Sequence, residues 1–284
     1  MGMKLSYFTN DSSFPFFIQY GCHRENMYLH GHEDFFELVI VMSGRAEHIV
    51  GDARFEISQG DVFAIGRDVR HGYESPSQDF RICNVMFRPE ALINADYDIK
   101  QLAGFHALFL LEPVLNAGQC YCAMKLGYAD FAQVERITDA AVAECGADNS
   151  GRKTLLLSYF LQLAVLLSRL YNAPKLNGDA AAAALAAAYL ERNYAKPVTS
   201  AELVRLSNYS PRHFNRLFAS AYGTTPMQYL TDIRIRRACA LLRESSLTMS
   251  EIAAQCGFGD PNYFSRIFRK KTGAAPSEYK NHLK

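Results

Sequence analysis

The sequence predicts a two-domain α+β protein. Its N-terminal domain reads as an antiparallel β-barrel with flanking helices, and its C-terminal domain as all-α, with two helix-turn-helix units joined by a linking helix. Three observations carry that prediction. Short alternating apolar runs broken by Gly and Asp fill Phe14 to Phe87. One pattern is written twice between Val198 and Tyr279. Charge divides along the chain: residues 1–177 hold 15 Lys+Arg against 21 Asp+Glu, net −6, whereas residues 178–284 hold 15 against 8, net +7. A basic half beside an acidic one marks nucleic-acid binding confined to one domain. With 284 residues and about 150 per domain, two domains are expected. The boundaries read as 1–172, a linker at 173–179, and 180–284.

Taken in order, Phe35–Met42, Ala46–Val50, Phe55–Ser58, Val62–Ile65 and Phe80–Phe87 read as strands, with turns at Ser43-Gly44, Gly51-Asp52 and Gly60-Asp61. Many short strands at close spacing point to a small barrel or jelly roll. From Gln101 to Asn172 the period becomes helical, with Phe131, Val134, Ile137, Ala141 and Val142 on one stripe. Leu155–Tyr171 is almost continuously apolar, yet it is short for a membrane span, which wants about 20 clean residues. Gln162 and Arg169 also interrupt it. A helix buried on two sides, against its own domain and a partner subunit, accounts for it better. Ala173-Pro-Lys-Leu-Asn-Gly-Asp179 reads as the linker, and Ala180–Ala188 as the start of the next helix, since Ala is the best helix former.

The duplicated pattern follows. Ser210-Pro-Arg-His-Phe-Asn-Arg-Leu-Phe218, Gly223, Pro226 and Tyr229 return as Asp260-Pro-Asn-Tyr-Phe-Ser-Arg-Ile-Phe268, Gly273, Pro276 and Tyr279. Repetition of this kind reports one structural unit used twice. Thr199-Ser-Ala-Glu202 and Thr248-Met-Ser-Glu251 are capping boxes that open short apolar helices. Asn208 and Gly257 suit the left-handed turn that comes next. Ser210 and Asp260 are N-caps, each followed by a proline in the first turn. The units are therefore placed at about 199–222 and 248–272. On each second helix Phe214, Leu217 and Phe218, or Phe264, Ile267 and Phe268, form an apolar face. The opposite faces carry Arg212, His213, Asn215 and Arg216, and Asn262, Tyr263, Ser265 and Arg266. Arg pairs with guanine and Asn with adenine, both in bidentate fashion, so these side chains suit base edges in a major groove. Met227–Arg243, free of Pro and Gly, reads as the rod between the units. Arg234, Arg236 and Arg237 on it, and Arg269, Lys270 and Lys271 after the second unit, are expected to hold phosphates.

The paired units, the linking helix, and the run from Glu251-Ile-Ala-Ala-Gln-Cys-Gly-Phe258 to Pro276-Ser-Glu-Tyr279 resemble the DNA-binding domain of AraC/XylS-type transcription regulators. By position, the resemblance puts base contacts at Arg212, Asn215, Arg216, Asn262, Ser265 and Arg266. It also implies a homodimer made through the helices beside the barrel, double-stranded DNA as partner, and RNA polymerase as a further partner of an activator.

Within the N-terminal domain, His30-Gly-His32, Glu37, Gly44, Gly60-Asp61 and His71 resemble the two cupin motifs, whose metal ligands correspond to His30, His32, Glu37 and His71. The second motif departs from the pattern, with Gly66 and Asp68 where Pro and Gly are expected. Three imidazoles and a carboxylate make a site for a divalent metal. Sensor domains of the regulator family often keep such positions without metal, so no cofactor is required. The same four side chains, with Tyr73 and Asn84, then read as ligand contacts. The run Phe35-Phe-Glu-Leu-Val-Ile-Val-Met-Ser-Gly44 looks closest to sugar-responsive members, including rhamnose regulators.

Seven scattered cysteines, with Cys120-Tyr-Cys122 wrongly spaced for zinc or redox pairing, read as reduced thiols. With no basic start and apolar run at Met1–Phe17, a cytoplasmic protein without a membrane partner is expected. The expected function is a sequence-specific, sugar-controlled transcription activator and not an enzyme. The alternatives are a metal-dependent cupin enzyme carrying a DNA-binding domain, or a DNA-binding protein that needs no ligand.

Overall fold

The structure is a computed structural model that describes residues 2–9, 11, 14–94, 97–115, 124–171, 179–207 and 209–281. Asn208, Cys120, Cys122 and most of the expected linker lie outside those residues. The chain divides into two compact units, Met1–Ala184 and Leu185–Lys284. The division falls inside a helix that starts at Asp179, the last residue assigned to the linker.

Among the described residues, ten strands build the first unit: β1 Gly2–Met3, β2 Phe16–Cys22, β3 Met27–His32, β4 Phe36–Ser43, β5 Arg45–Val50, β6 Ala53–Ser58, β7 Asp61–Ile65, β8 His71–Glu74, β9 Arg81–Phe87 and β10 Met124–Lys125. They form two five-stranded sheets, ordered β1-β3-β8-β5-β6 and β10-β7-β4-β9-β2. Of the expected barrel or jelly roll, the structure therefore has the two-sheet sandwich and not a closed barrel. Hydrogen bonding passes along each sheet and stops at its edge strands, so closure comes from packing. Val39, Val41, Phe63, Ile65 and Ile82 of one sheet meet Ala46, Val50, Ile57 and Tyr73 of the other in a single buried core. Because side chains alternate along a strand, these residues fix which positions face inward.

Short helical turns follow at α1 Pro89–Asn94, α2 Ala103–Phe105, a π-helical turn His106–Leu111, and α3 Glu112–Leu115. Two longer helices, α4 Tyr128–Cys145 and α5 Arg152–Leu170, pack against each other. By length and composition α5 could cross a membrane. Its apolar stripe, Leu156, Phe160, Leu163 and Leu167, is instead buried in the protein, with Phe160 stacked on Phe16 at 4.7 Å. On its other side Leu155 is exposed and Leu161, Val165 and Leu166 are half-buried.

The second unit is helical: α6 Asp179–Asn193, α7 Ser200–Ser207, α8 Pro211–Tyr222, α9 Pro226–Glu244, α10 Met249–Gln255, α11 Pro261–Thr272 and α12 Pro276–Asn281. Both expected capping boxes form. Thr199 N–H donates to Glu202 at 2.7 Å and Thr248 N–H to Glu251 at 2.8 Å, while each Glu amide donates back to the Thr hydroxyl. Gly257 takes φ +80° between α10 and α11, and a Cβ there would stand 2.6 Å from the Tyr194 carbonyl oxygen. Two separate cores result. Phe214 and Phe218 pack with Leu203, Leu230 and Ile233, whereas Phe264 and Phe268 pack with Ile252, Ile235 and Leu242. One half of α9 thus walls each core, which makes the linking helix the scaffold of both units.

Candidate functional site

On α8, Arg212, Asn215 and Arg216 are exposed, opposite the buried Phe214, Leu217 and Phe218. Ser210 caps the helix by accepting from the His213 amide at 3.4 Å. The His213 ring is half-buried, 4.6 Å from Tyr209, and its Nδ1 lies 3.2 Å from Arg216 Nη2. On α11, Asn262, Tyr263, Arg266, Arg269 and Lys270 are exposed. The Arg266 guanidinium sits over the Tyr263 ring at 5.4 Å, and the half-buried Ser265 donates its hydroxyl to the Pro261 carbonyl.

Three of the residues expected to hold phosphates also have partners within the second unit. Arg234 donates to the carbonyls of Tyr194 and Lys196 at 2.8 and 3.0 Å. Arg236 pairs with the buried Glu191 at 3.0 Å, and Lys271 with Asp232 at 2.5 Å. Arg237 lies over the Tyr194 ring. A charge count along a helix does not show which cations are needed to hold that helix to its neighbours.

The second cluster is inside the sandwich. His30 on β3 lies directly opposite His71 on β8, and His32 follows two residues on, so all three rings share the inward face. Glu37 enters from β4 of the other sheet. One ligand atom from each of the four side chains lies within 4.8 Å of every other. His32 Nε2 is 3.3 Å from His71 Nε2 and 3.3 Å from Glu37 Oε2, and His71 Nε2 is 3.5 Å from the same oxygen. His30 Nδ1 lies 3.3 Å from the Tyr28 carbonyl, which takes its proton and leaves a lone pair on Nε2.

All four side chains are buried. Burial holds the His32 imidazole down to about 3 and His71 well below its usual value, so both are neutral at pH 7. Burial also pushes the Glu37 carboxyl up to about 8. Glu37 Oε2, His32 Nδ1 and His71 Nδ1 are buried without hydrogen-bond partners in the protein. Tyr73 and Asn84, the other expected ligand contacts, also face this interior. Tyr73 is on β8, 6.2 Å from His71 ring to ring, and Asn84 is on β9 between the buried Ile82 and Met86.

Sequence reasoning missed His48. It is 1% exposed on β5, with its ring stacked at 4.6 Å on Phe63 and lying 5.6 Å from His71. The signal was available: in a strand read as Ala46–Val50, alternation turns position 48 to the same side as Ala46 and Val50.

A sandwich with a buried polar centre, followed by paired helix-turn-helix units, defines a ligand-controlled DNA-binding regulator. Residues 14–125 match the AraC-like ligand binding domain and residues 203–282 a helix-turn-helix domain. The HTH-type transcriptional activator RhaR of Escherichia coli O139:H28 is 31% identical over 252 residues, covering 87% of this chain and 85% of that one. RhaR of Cronobacter sakazakii is 31% identical over 256 residues, covering 89% and 86%. Among solved structures, the DNA-binding domain of AdpA in complex with a target DNA is 29% identical, covers 35% of this chain and 90% of its own, and has a TM-score of 0.34. ToxT from Vibrio cholerae O395 is 15% identical, covers 96% and 99%, and has a TM-score of 0.35. The chain belongs to the AraC family of transcriptional activators.

Proposed function

We propose that the chain is a cytoplasmic, homodimeric activator that binds a neutral sugar between its two sheets and reads operator DNA with α8 and α11. The observation that carries the sugar is the set of inward polar groups on an otherwise apolar sandwich. An apolar wall with a few convergent polar groups is the general form of a small-molecule site. The RhaR relatives, named as activators, support the direction of regulation and a role for RNA polymerase. The apolar residues left part-exposed on α5 support a partner helix there. The sugar must bind one arrangement of the dimer more tightly than the other, since an effector shifts an equilibrium only by its differential affinity.

The test of DNA reading uses the full chain on fragments selected from a random pool, over a range of salt. Arg212→Ala and Arg216→Ala are each expected to weaken binding by about 1–3 kcal/mol and to relax preference at one base position. Two chains should bind per selected fragment. Salt-sensitive binding that ignores both sequence and substitutions would refute base reading by α8.

A second reading is favoured by the spacing of the four ligand atoms. A tetrahedral ion with bonds of about 2.0–2.1 Å sets its ligands roughly 3.3 Å apart, the separation found among His32, His71 and Glu37. The donors and the orphaned Glu37 oxygen fit a divalent cation held by His30, His32, Glu37 and His71. Such an ion would take the place of the Glu37 proton and polarise a sugar hydroxyl. Purified wild type is then expected to carry one equivalent, by mass spectrometry of the metal, and His32→Ala with His71→Ala none. Affinity should rise with pH up to about 8, because Glu37 must release its proton before it can bind. Equal metal content in wild type and double variant would overturn this reading.

A further inference from the structure

The inner faces of the sandwich carry more buried polar atoms than the centre at His30, His32, Glu37 and His71 accounts for. His48 stands between Ala46 and Val50, both part of the sandwich core, so its ring points inward. That ring is held between Phe63 at 4.6 Å and Tyr73 at 5.3 Å, both near parallel to it, and its Nε2 is buried with no hydrogen-bond partner in the protein. On the facing sheet Asn84 points inward between Ile82 and Met86, and its Oδ1 is equally buried and unpartnered. His23, in the connection from β2 to β3, brings its ring within 5.8 Å of Tyr73 and has a third such atom, Nε2.

An unpaired buried polar group costs about 1–3 kcal/mol. Three of them on opposed walls of one interior are a standing penalty that a hydroxylated occupant would remove. The occupant's charge is constrained as well. The inward positions of β2 to β9 are Gln, Glu, His, Tyr, Asn, Asp and apolar residues, and none is Arg or Lys. A carboxylate or phosphate lodged there would meet no cation from β2 to β9, and Lys125 of β10 is already paired with Asp61 at 3.1 Å; burying an unpaired charge is far costlier than burying a hydroxyl.

We infer that His48, Asn84 and His23 form a second row of contacts for the effector, which is an uncharged polyhydroxylated molecule fixed through hydroxyl groups at His48 and Asn84. This rests on the reading of the first unit as a sugar sensor and adds residues and a charge rule to it. His48 is then a specificity determinant: a site built to pair a hydroxyl rejects the analogue lacking it.

Calorimetric titration of the full chain tests the inference with a panel of neutral aldoses and 6-deoxyaldoses, L-rhamnose among them, beside D-galacturonate and glucose 6-phosphate. A neutral sugar is expected to bind wild type, and the two anions to bind at least 10-fold more weakly. His48→Phe keeps an aromatic ring in the slot and removes its nitrogens, and Asn84→Leu does the equivalent on the other wall. Each should weaken the bound sugar at least 10-fold. The ligand-free variants should melt no lower than wild type, because the buried His48 Nε2 and Asn84 Oδ1 that they remove have no partner. Among single-deoxy derivatives of that sugar, one should bind wild type and His48→Phe equally, which a merely structural role for His48 would not produce. If a neutral sugar binds wild type and both variants alike, the second row is wrong and the sensor reading stands. If no neutral sugar binds, or an anion binds best, the sensor reading itself fails and the second row falls with it.

Discussion

Phe264→Ala is expected to cost the second helix-turn-helix about 3–5 kcal/mol, the usual range for deleting a fully buried aromatic ring. Phe264 is 0% exposed, with its ring 5.1 Å from Phe258 and 5.6 Å from Phe268. No small shift of α11 can close the cavity, because the Asp260 cap and the Gly257 turn fix where that helix begins. Domain stability is about 5–15 kcal/mol in total, so the loss removes a large share of it. The two cores also predict where the loss appears. Hydrogen exchange should show α10 and α11 deprotected, with α7 and α8 much less affected, because Phe214 and Phe218 belong to the other cluster. Equal loss of protection across all four helices would mean a single cooperative core in place of two.

Gly104→Ala is expected to destabilise the first unit by about 3 kcal/mol, the upper end for forcing atoms into a packed interior. A Cβ at Gly104 would lie 2.0 Å from the Ser168 carbonyl oxygen and 3.0 Å from that of Tyr171. Both obstacles are backbone, so α2 must move away from the end of α5. The displacement would carry along Phe105 and Phe109, whose rings stack at 5.8 Å, and Phe109 packs on Phe87 of β9. Gly146→Ala is the control, since its nearest obstacle is 3.8 Å away. Chemical denaturation should separate the two variants. Similar midpoints for both would show that α2 is not tightly seated on α5.

The helical half was the more legible in the sequence because its signals are local. A capping box spans four residues and a helix face repeats every three or four, so Thr248, Glu251, Asp260 and Phe264 announce their structure to near neighbours. The Thr225–Gln228 capping box at the head of α9 went unread, although it follows the same rule. In the sandwich, the strands found were those with clear apolar runs or alternation. β1, β2, β3, β8 and β10 were missed, and β3 and β8 carry His30, His32 and His71. A strand that turns histidines inward does not show the apolar period by which strands are recognised.

The sequence by itself determined the order of the two units and the duplicated helix-turn-helix with its caps and exposed Arg212, Asn215 and Arg216, and its resemblance to the cupin motifs pointed to the four residues of the sandwich centre. Tertiary structure alone decided the rest. It decided between barrel and two-sheet sandwich, since closure depends on pairing between edge strands far apart in the chain. It gave Arg234, Arg236 and Lys271 partners inside the unit, because Tyr194, Glu191 and Asp232 are brought to them by packing. It chose the neighbours of His48, a residue that alternation already turns inward: Phe63, His71 and Tyr73 reach it from two other strands. Local chemistry is written within a few residues, whereas a partner or a site is a property of segments that meet only when the chain has folded.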